Sequence, residues 1–238
     1  MLGQHIEAST TTATPQYLDL EDFEEVGVRV AERHFGARDL IFAPGDPDGQ
    51  LYFVLEGTVR LYTIYGQYKE ATTALLNDRG IFGELSLDEG AWQNVFAEAV
   101  TDARVAVVRK SSLAEVIKRQ PEFTTKLVFS ISERLKQSEE VIESLLDREV
   151  SARLTTLLLN LGDRFGETEE GSGTVLKVRL THQDLANMIV STREAVSKVM
   201  SEFQRAGLIE VRNRRISISP QLAKSRVSDP SWSPGAAA

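Results

Sequence analysis

Residues Leu180 to Phe203 read LTHQDLANMIVSTREAVSKVMSEF and set hydroxyls, carboxylates and cations at helical spacing. Thr181 precedes Asp184 by three residues, and Ser191 precedes Glu194 by three. Each pair is a capping box, in which a hydroxyl and a carboxylate satisfy the open N–H groups of a helix's first turn. Two helix starts this close predict a helix–turn–helix. At about 100° per residue, Val196, Val199, Met200 and Phe203 share one side of the second helix. Arg193, Glu194, Ser197, Lys198 and Ser201 share the other. Charged and hydroxyl groups presented from a helix N-terminus are what the major groove of DNA admits and reads. The same pattern also fits an ordinary amphipathic helix with a solvated face.

A helix–turn–helix needs a frame. After Gly207, Leu208 to Val211 and Arg215 to Ile218 flank Arg212-Asn213-Arg214, which predicts a β-hairpin, the wing of a winged helix. Val175 to Leu180 reads as a strand into the motif, Glu167 to Gly173 as an acidic surface loop, and Glu149 to Arg153 as a hinge into another helix. Upstream, Pro121 marks the start of a long helix to about Leu146. Its apolar positions Val128, Ile131, Leu135, Ile142 and Leu145 form a heptad-like seam, broken once at Ser138. A second copy of the chain is the simplest partner for such a seam; the strand domain of the same chain is the alternative. Before it, short apolar runs at Leu40/Phe42, Leu51–Leu55, Val59–Thr63, Ala71–Leu76, Asn94–Val100 and Ala103–Val108 alternate with Gly- and Asp-rich turns. That spacing predicts an antiparallel roll or barrel. A short helix is expected in 17–33, through Leu20, Phe23, Val26 and Val30, and another at 111–119. The expected organisation is α+β: a disordered N-terminus (1–16), an effector-type β-roll domain (17–120), a dimerisation helix (121–147), a winged helix–turn–helix (148–220) and a disordered tail (221–238).

The 238 residues carry a net charge of −8, yet the charge is uneven. Residues 1–146 hold a net of −10, and 147–220 a net of +1, with Arg212, Arg214 and Arg215 clustered. A small basic surface on an acidic body binds phosphate locally, with modest and salt-sensitive affinity. There are no cysteines, so disulfides, thiolate catalysis and Cys-ligated zinc or iron–sulfur sites are excluded. No apolar stretch reaches membrane-spanning length, and a cytoplasmic location is expected.

Strand roll, long helix and winged helix–turn–helix, in that order, resemble the cyclic-AMP receptor / fumarate-nitrate regulator (CRP/FNR) family of transcription regulators, over about residues 35–219. Ser191-Thr192-Arg193-Glu194-Ala195-Val196-Ser197-Lys198 resembles the family's recognition motif S-R-E-T-V-x-R, Gly83-Glu84-Leu85 its G-E-L cassette, and Leu158-Leu159-Asn160-Leu161 a run in its first DNA-domain helix. The resemblance implies a homodimer on double-stranded DNA, with Arg193 reading guanine, Glu194 accepting from cytosine and Lys198 at a second guanine-reading position. Lys lacks the planar fork of Arg, which relaxes that step. It further implies an inverted repeat like TGTGA-N6-TCACA, an activator role and RNA polymerase as a partner. Thr181, His182, Gln183, Ser191, Thr192, Ser197, Arg212 and Arg214 are candidate phosphate contacts.

The implied effector pocket comprises Gly83, Glu84, Leu85, Gln93, Asn94, Arg134 and Ser138. Here the chain departs from the family. Gln93 stands where cyclic-AMP binders and the nitrogen-control branch have an arginine, and no Arg or Lys lies between Arg79 and Arg104. A phosphate without a cation loses its strongest contact. Asp88 and Glu89 add like charge. The expectation is effector-independent binding or a non-standard ligand. Cyclic AMP, held by backbone N–H groups at Glu84 and Leu85, is the alternative; no other cofactor and no metal are implied. Haem sensing has only His34, expected before the roll. Two other classes remain open: a ligand-sensing or catalytic roll, for which no convergent His, Cys or carboxylate set is present, and a partner-binding module whose wing contacts protein.

Overall fold

The structure is a computed structural model that describes residues 18, 20–47, 49–67, 69–83, 92–147, 149–169 and 173–222. The expectations for the N-terminus 1–16, for the tail beyond residue 222 and for Glu84, Leu85, Asp88 and Glu89 lie outside the described residues.

A short helix α1 (Leu20–Glu25) leads into β1 (Val30–Phe35), β2 (Leu40–Phe42), β3 (Gln50–Glu56), β4 (Val59–Tyr65), β5 (Lys69–Leu76), β6 (Ile81–Phe82), β7 (Phe96–Ala99) and β8 (Ala103–Arg109). They form two four-stranded sheets, ordered β1-β8-β3-β6 and β2-β7-β4-β5, with antiparallel pairs throughout. Val54, Val59, Leu61, Phe82 and Val105 are buried in one cluster between them. The predicted roll is present. The helix expected to reach Val30 instead ends at Glu25, because Gly27 takes φ +72° and the chain turns into β1. His34 therefore lies in the roll rather than before it, paired with Arg104 and exposed.

Helix α2 (Lys110–Arg119) and the long helix α3 (Pro121–Leu146) follow. Phe23 packs edge-on to Phe53 and Phe123, joining α1, β3 and α3. One side of α3, through Phe123, Leu127 and Ile131, thus closes the roll's outer core. The seam divides at this point. Val128 (54% exposed), Leu135 (60%) and Ile142 (63%) face outward, and Leu145 is exposed. Ile131 packs against the roll of its own chain.

The C-terminal part contains α4 (Val150–Phe165), β9 (Gly166–Glu169), β10 (Gly173–Leu176), α5 (His182–Met188), α6 (Arg193–Arg205), β11 (Ile209–Arg212) and β12 (Arg215–Ile218). Its sheet runs β11-β12-β10-β9. Residues 167–169, expected as part of a loop, belong to β9 and pair with β10, and β10 ends at Leu176 rather than Leu180. Leu154, Leu158, Leu185, Val196 and Phe203 form the core, which Leu75 and Val100 of the roll join.

Candidate nucleic-acid interface and effector pocket

The first helix of the motif starts as expected. Thr181 Oγ1 accepts from Asp184 N at 3.1 Å, and Asp184 Oδ2 accepts from Thr181 N at 2.8 Å and from the Thr181 hydroxyl at 2.7 Å. The Thr181 hydroxyl is therefore spent on the cap. The helix closes at Ile189, and Val190 takes φ +49° in the turn while Ser191 N donates to Ala186 O at 2.9 Å.

The second cap differs from expectation by one residue. Thr192, not Ser191, accepts from Ala195 N, at 3.2 Å. The two hydroxyls are adjacent, and the turn sets the second of them in the cap. The apolar face is as predicted: Val196, Val199, Met200 and Phe203 are buried. Arg193, Glu194 and Lys198 are exposed together on the opposite face. Ser197 is half-buried and shares a 2.8 Å hydrogen bond with His182 Nδ1, which clips α6 to the start of α5. Gln183 donates to Asn187 at 2.8 Å. The wing turns at Asn213 (φ +50°) and Arg214 (φ +63°), with Arg212 opposite Arg215. Two left-handed residues between paired strands match the hand of a two-residue hairpin. Arg214 is exposed; Arg212, also exposed, is paired through Nε with Glu210.

The motif is docked on the roll by a chain of ion pairs that sequence reading missed. Arg38 donates to Asp184 at 3.0 and 3.2 Å and to Glu98 at 3.3 Å. Arg60, 5% exposed, donates to Glu98 at 2.9 and 3.3 Å and to Glu70 at 2.7 Å. Glu70 also accepts from Asn187 on α5 at 3.0 Å. Burial alone would lower both guanidinium pKa values. Hydrogen bonds and charge from Asp184 and Glu98 (Arg38), and from Glu98 and Glu70 (Arg60), outweigh it and raise them. The partners lie up to 146 residues apart, so no local pattern could reveal them. Asp184 serves both the cap and this dock. As a result, the N-terminus of α6 looks across a cleft at Tyr65, Lys69 and Glu70 of β4 and β5.

In the pocket implied by resemblance, Gly83 has φ +101°, and a Cβ there would meet Gln50 O at 3.0 Å. Its carbonyl accepts from Arg134 Nη1 at 3.0 Å, so α3 and the cassette's first residue are brought together. Ser138, one turn along, is half-buried and donates to Arg134 O at 3.2 Å. Gln93 is 3% exposed, and its backbone brackets the Gly45–Asp46 turn at 2.9 and 3.2 Å. Asn94 is exposed. A buried neutral amide thus stands at the position where the resemblance led to the expectation of an arginine.

Comparison with known proteins agrees with these two halves. The family model for the cyclic nucleotide-binding domain matches residues 32–120, and that for the Crp-like helix-turn-helix domain matches 152–220. The chain is similar to the global nitrogen regulator of Nostoc sp., 31% identical over 81% of this chain and 86% of that one. It is also similar to the CRP-like cAMP-activated global transcriptional regulator of Mycobacterium tuberculosis, 27% identical over 75% and 80%. Among solved structures, a CRP/FNR-family regulator from Thermus thermophilus matches with a TM-score of 0.66 and 32% identity, over 82% of this chain and all of that one.

Proposed function

The chain belongs to the CRP/FNR family of transcription regulators, and from that premise we propose how it reads DNA and what governs it. It is a DNA-binding regulator, not an enzyme. It acts as a homodimer on an inverted repeat resembling TGTGA-N6-TCACA. The exposed row Val128, Leu135 and Ile142 supports self-association along α3. The observation that carries the reading is the exposed triad Arg193, Glu194 and Lys198 on a helix whose other side is wholly buried. Arg193 donates its fork to guanine O6 and N7, Glu194 accepts from cytosine N4, and Lys198 takes the second guanine. Thr192, His182, Gln183, Ser191, Ser197, Arg212 and Arg214 serve phosphate, while Thr181 holds the cap. The regulator activates through RNA polymerase, for which the acidic body offers a surface.

Binding is effector-independent or answers a ligand other than a cyclic nucleotide. The buried, neutral Gln93 and the tie between Arg134 and Gly83 O support this. A gel-shift series with duplexes bearing two, one or no TGTGA half-sites tests the DNA reading. Tight binding only to the paired sites, without added nucleotide, is expected. Equal binding to all three would refute it, and binding that requires cyclic AMP would refute effector independence.

A further inference from the structure

The end of α6 that would enter the groove is turned toward the roll. Ser191 to Ala195 face Tyr65, Lys69 and Glu70 of β4 and β5 across a cleft of about 710 Å³. A helix–turn–helix reads bases with the first residues of its second helix, which must reach the floor of a groove about 12 Å wide between two phosphate strands. With Arg193 and Glu194 this close to β4 and β5, the strand passing that end of α6 would have to run through the cleft. The cleft has room for a few groups of that strand and none for the duplex behind it. The far wall is also unfavourable in charge: Arg38 and Arg60 against Asp184, Glu98 and Glu70 leave one negative charge, which repels phosphate.

What holds α5 and α6 in this place is polar and open to water. Arg38, whose side chain is 50% exposed, reaches Asp184 on α5 at 3.0 Å. Asn187 donates at 3.0 Å to Glu70, whose side chain is 32% exposed. Ion pairs this exposed stabilise weakly. A void of about 50 Å³ remains at the junction, lined by Thr72 of β5 and by Met188 and Ile189 at the end of α5, so the two parts meet less tightly than a domain core packs. Separation also leaves the helix whole. Asp184 keeps its bonds from the Thr181 N–H and hydroxyl, so the cap of α5 does not depend on Arg38.

We infer that the Arg38–Asp184 and Asn187–Glu70 contacts form a latch that holds this chain closed to DNA. The helix–turn–helix must lift off β4 and β5 before α6 can enter the groove. The inference rests on α6 as the reading helix. Because the latch is weak, duplex binding itself can open it, in agreement with binding that needs no added effector. Arg38 gives the latch an effect opposite in sign to ordinary electrostatics. Removing a cation from a DNA-binding surface weakens binding by losing phosphate attraction. Removing Arg38 strands the Asp184 carboxylate, whose side chain is 5% exposed, and that penalty falls on the closed form alone. Binding should therefore tighten.

The test compares the full parent chain with Arg38→Asn, since Asn tolerates the left-handed backbone that Arg38 takes at φ +76°. In fluorescence anisotropy with the paired TGTGA duplex at fixed salt, Arg38→Asn should bind about twofold to fivefold tighter, the worth of one half-exposed ion pair. Arg33→Gln removes an exposed cation of β1 outside the latch and should bind like the parent or more weakly. A second readout uses no DNA. The sequence has no cysteine, so Thr72→Cys places a single thiol at the junction, where Thr72 is 3% exposed. A thiol reagent should label it slowly, and about twofold to fivefold faster once Arg38→Asn is added. The latch is overturned if Arg38→Asn binds the duplex no tighter than the parent, if Arg33→Gln tightens binding equally, or if the labelling rate does not change. A parent chain that prefers neither the paired nor a scrambled duplex instead overturns the reading of α6, and closure to DNA falls with it whatever the labelling shows.

Discussion

Replacing Arg60 with methionine keeps the buried stem and removes only the guanidinium. That group makes three bonds, to Glu98 at 2.9 and 3.3 Å and to Glu70 at 2.7 Å, and lies 4.2 Å from the centre of the Tyr62 ring. Breaking a buried ion pair by removing one partner costs about 3–5 kcal/mol, because the other charge stays behind. Here the lower end applies. The Glu98 side chain is 12% exposed but keeps Arg38 at 3.3 Å, and the Glu70 side chain, 32% exposed, can turn to water. A loss of about 3 kcal/mol lowers the melting temperature by roughly 6–12 °C for a chain of this size. Thermal melts by circular dichroism at neutral pH read it. Adding Glu98→Gln removes the stranded charge, so the double variant should lose less than the two single losses combined. A loss under about 1 kcal/mol, or strict additivity, would show that the network contributes little.

Further changes probe other parts. Thr181→Ala removes the capping box of α5 and should cost about 1 kcal/mol in a urea melt. Gly57 has φ +90°, and a Cβ there would lie 2.2 Å from Asp102 O; Gly57→Ala should therefore destabilise by about 2 kcal/mol or more by the same measurement. Burial, then the Glu98 and Glu70 charges, raise the Tyr62 pKa above its ordinary value near 10. The unfolded chain then releases this proton first, so the tyrosine's contribution is whole below pH 10 and is lost as pH rises through the folded value. Tyr62→Phe should remove that part of the alkaline loss in melts taken above pH 10. Leu135→Glu with Ile142→Glu places charges on the outward row of α3 and should yield monomer in sedimentation velocity; an unchanged dimer would place the interface elsewhere.

Local signals were legible in sequence where one cause dominated. Pro121 and a heptad-like apolar seam, broken once at Ser138, marked α3 from its first residue to Leu146. The box at Thr181 and the faces of α6 were read from spacing alone. Elements decided by pairing were not. Val30–Phe35 has a polar, mixed sequence and becomes a strand only because β8 lies beside it. Residues 166–169 are acidic yet pair with β10, and β6 is two residues long. Ile131 shares the spacing of the seam but turns to its own roll, since α3 must cover that core as well as face outward. The Arg38–Asp184 and Arg60–Glu98 ties join residues far apart in the chain. Sequence offered Asp184 as a cap and gave no sign of its second partner.

The most direct measurement is fluorescence anisotropy at one fixed salt concentration, comparing the paired TGTGA duplex with a scrambled duplex for the parent chain and for Arg193→Ala. The parent should prefer the paired duplex. The variant should remain folded, lose about 2–6 kcal/mol on that duplex, and bind the scrambled one nearly as before, because one guanine-reading fork is gone from each half-site while the phosphate contacts persist. An unchanged preference in Arg193→Ala, or a parent chain that cannot tell the two duplexes apart, would contradict the account.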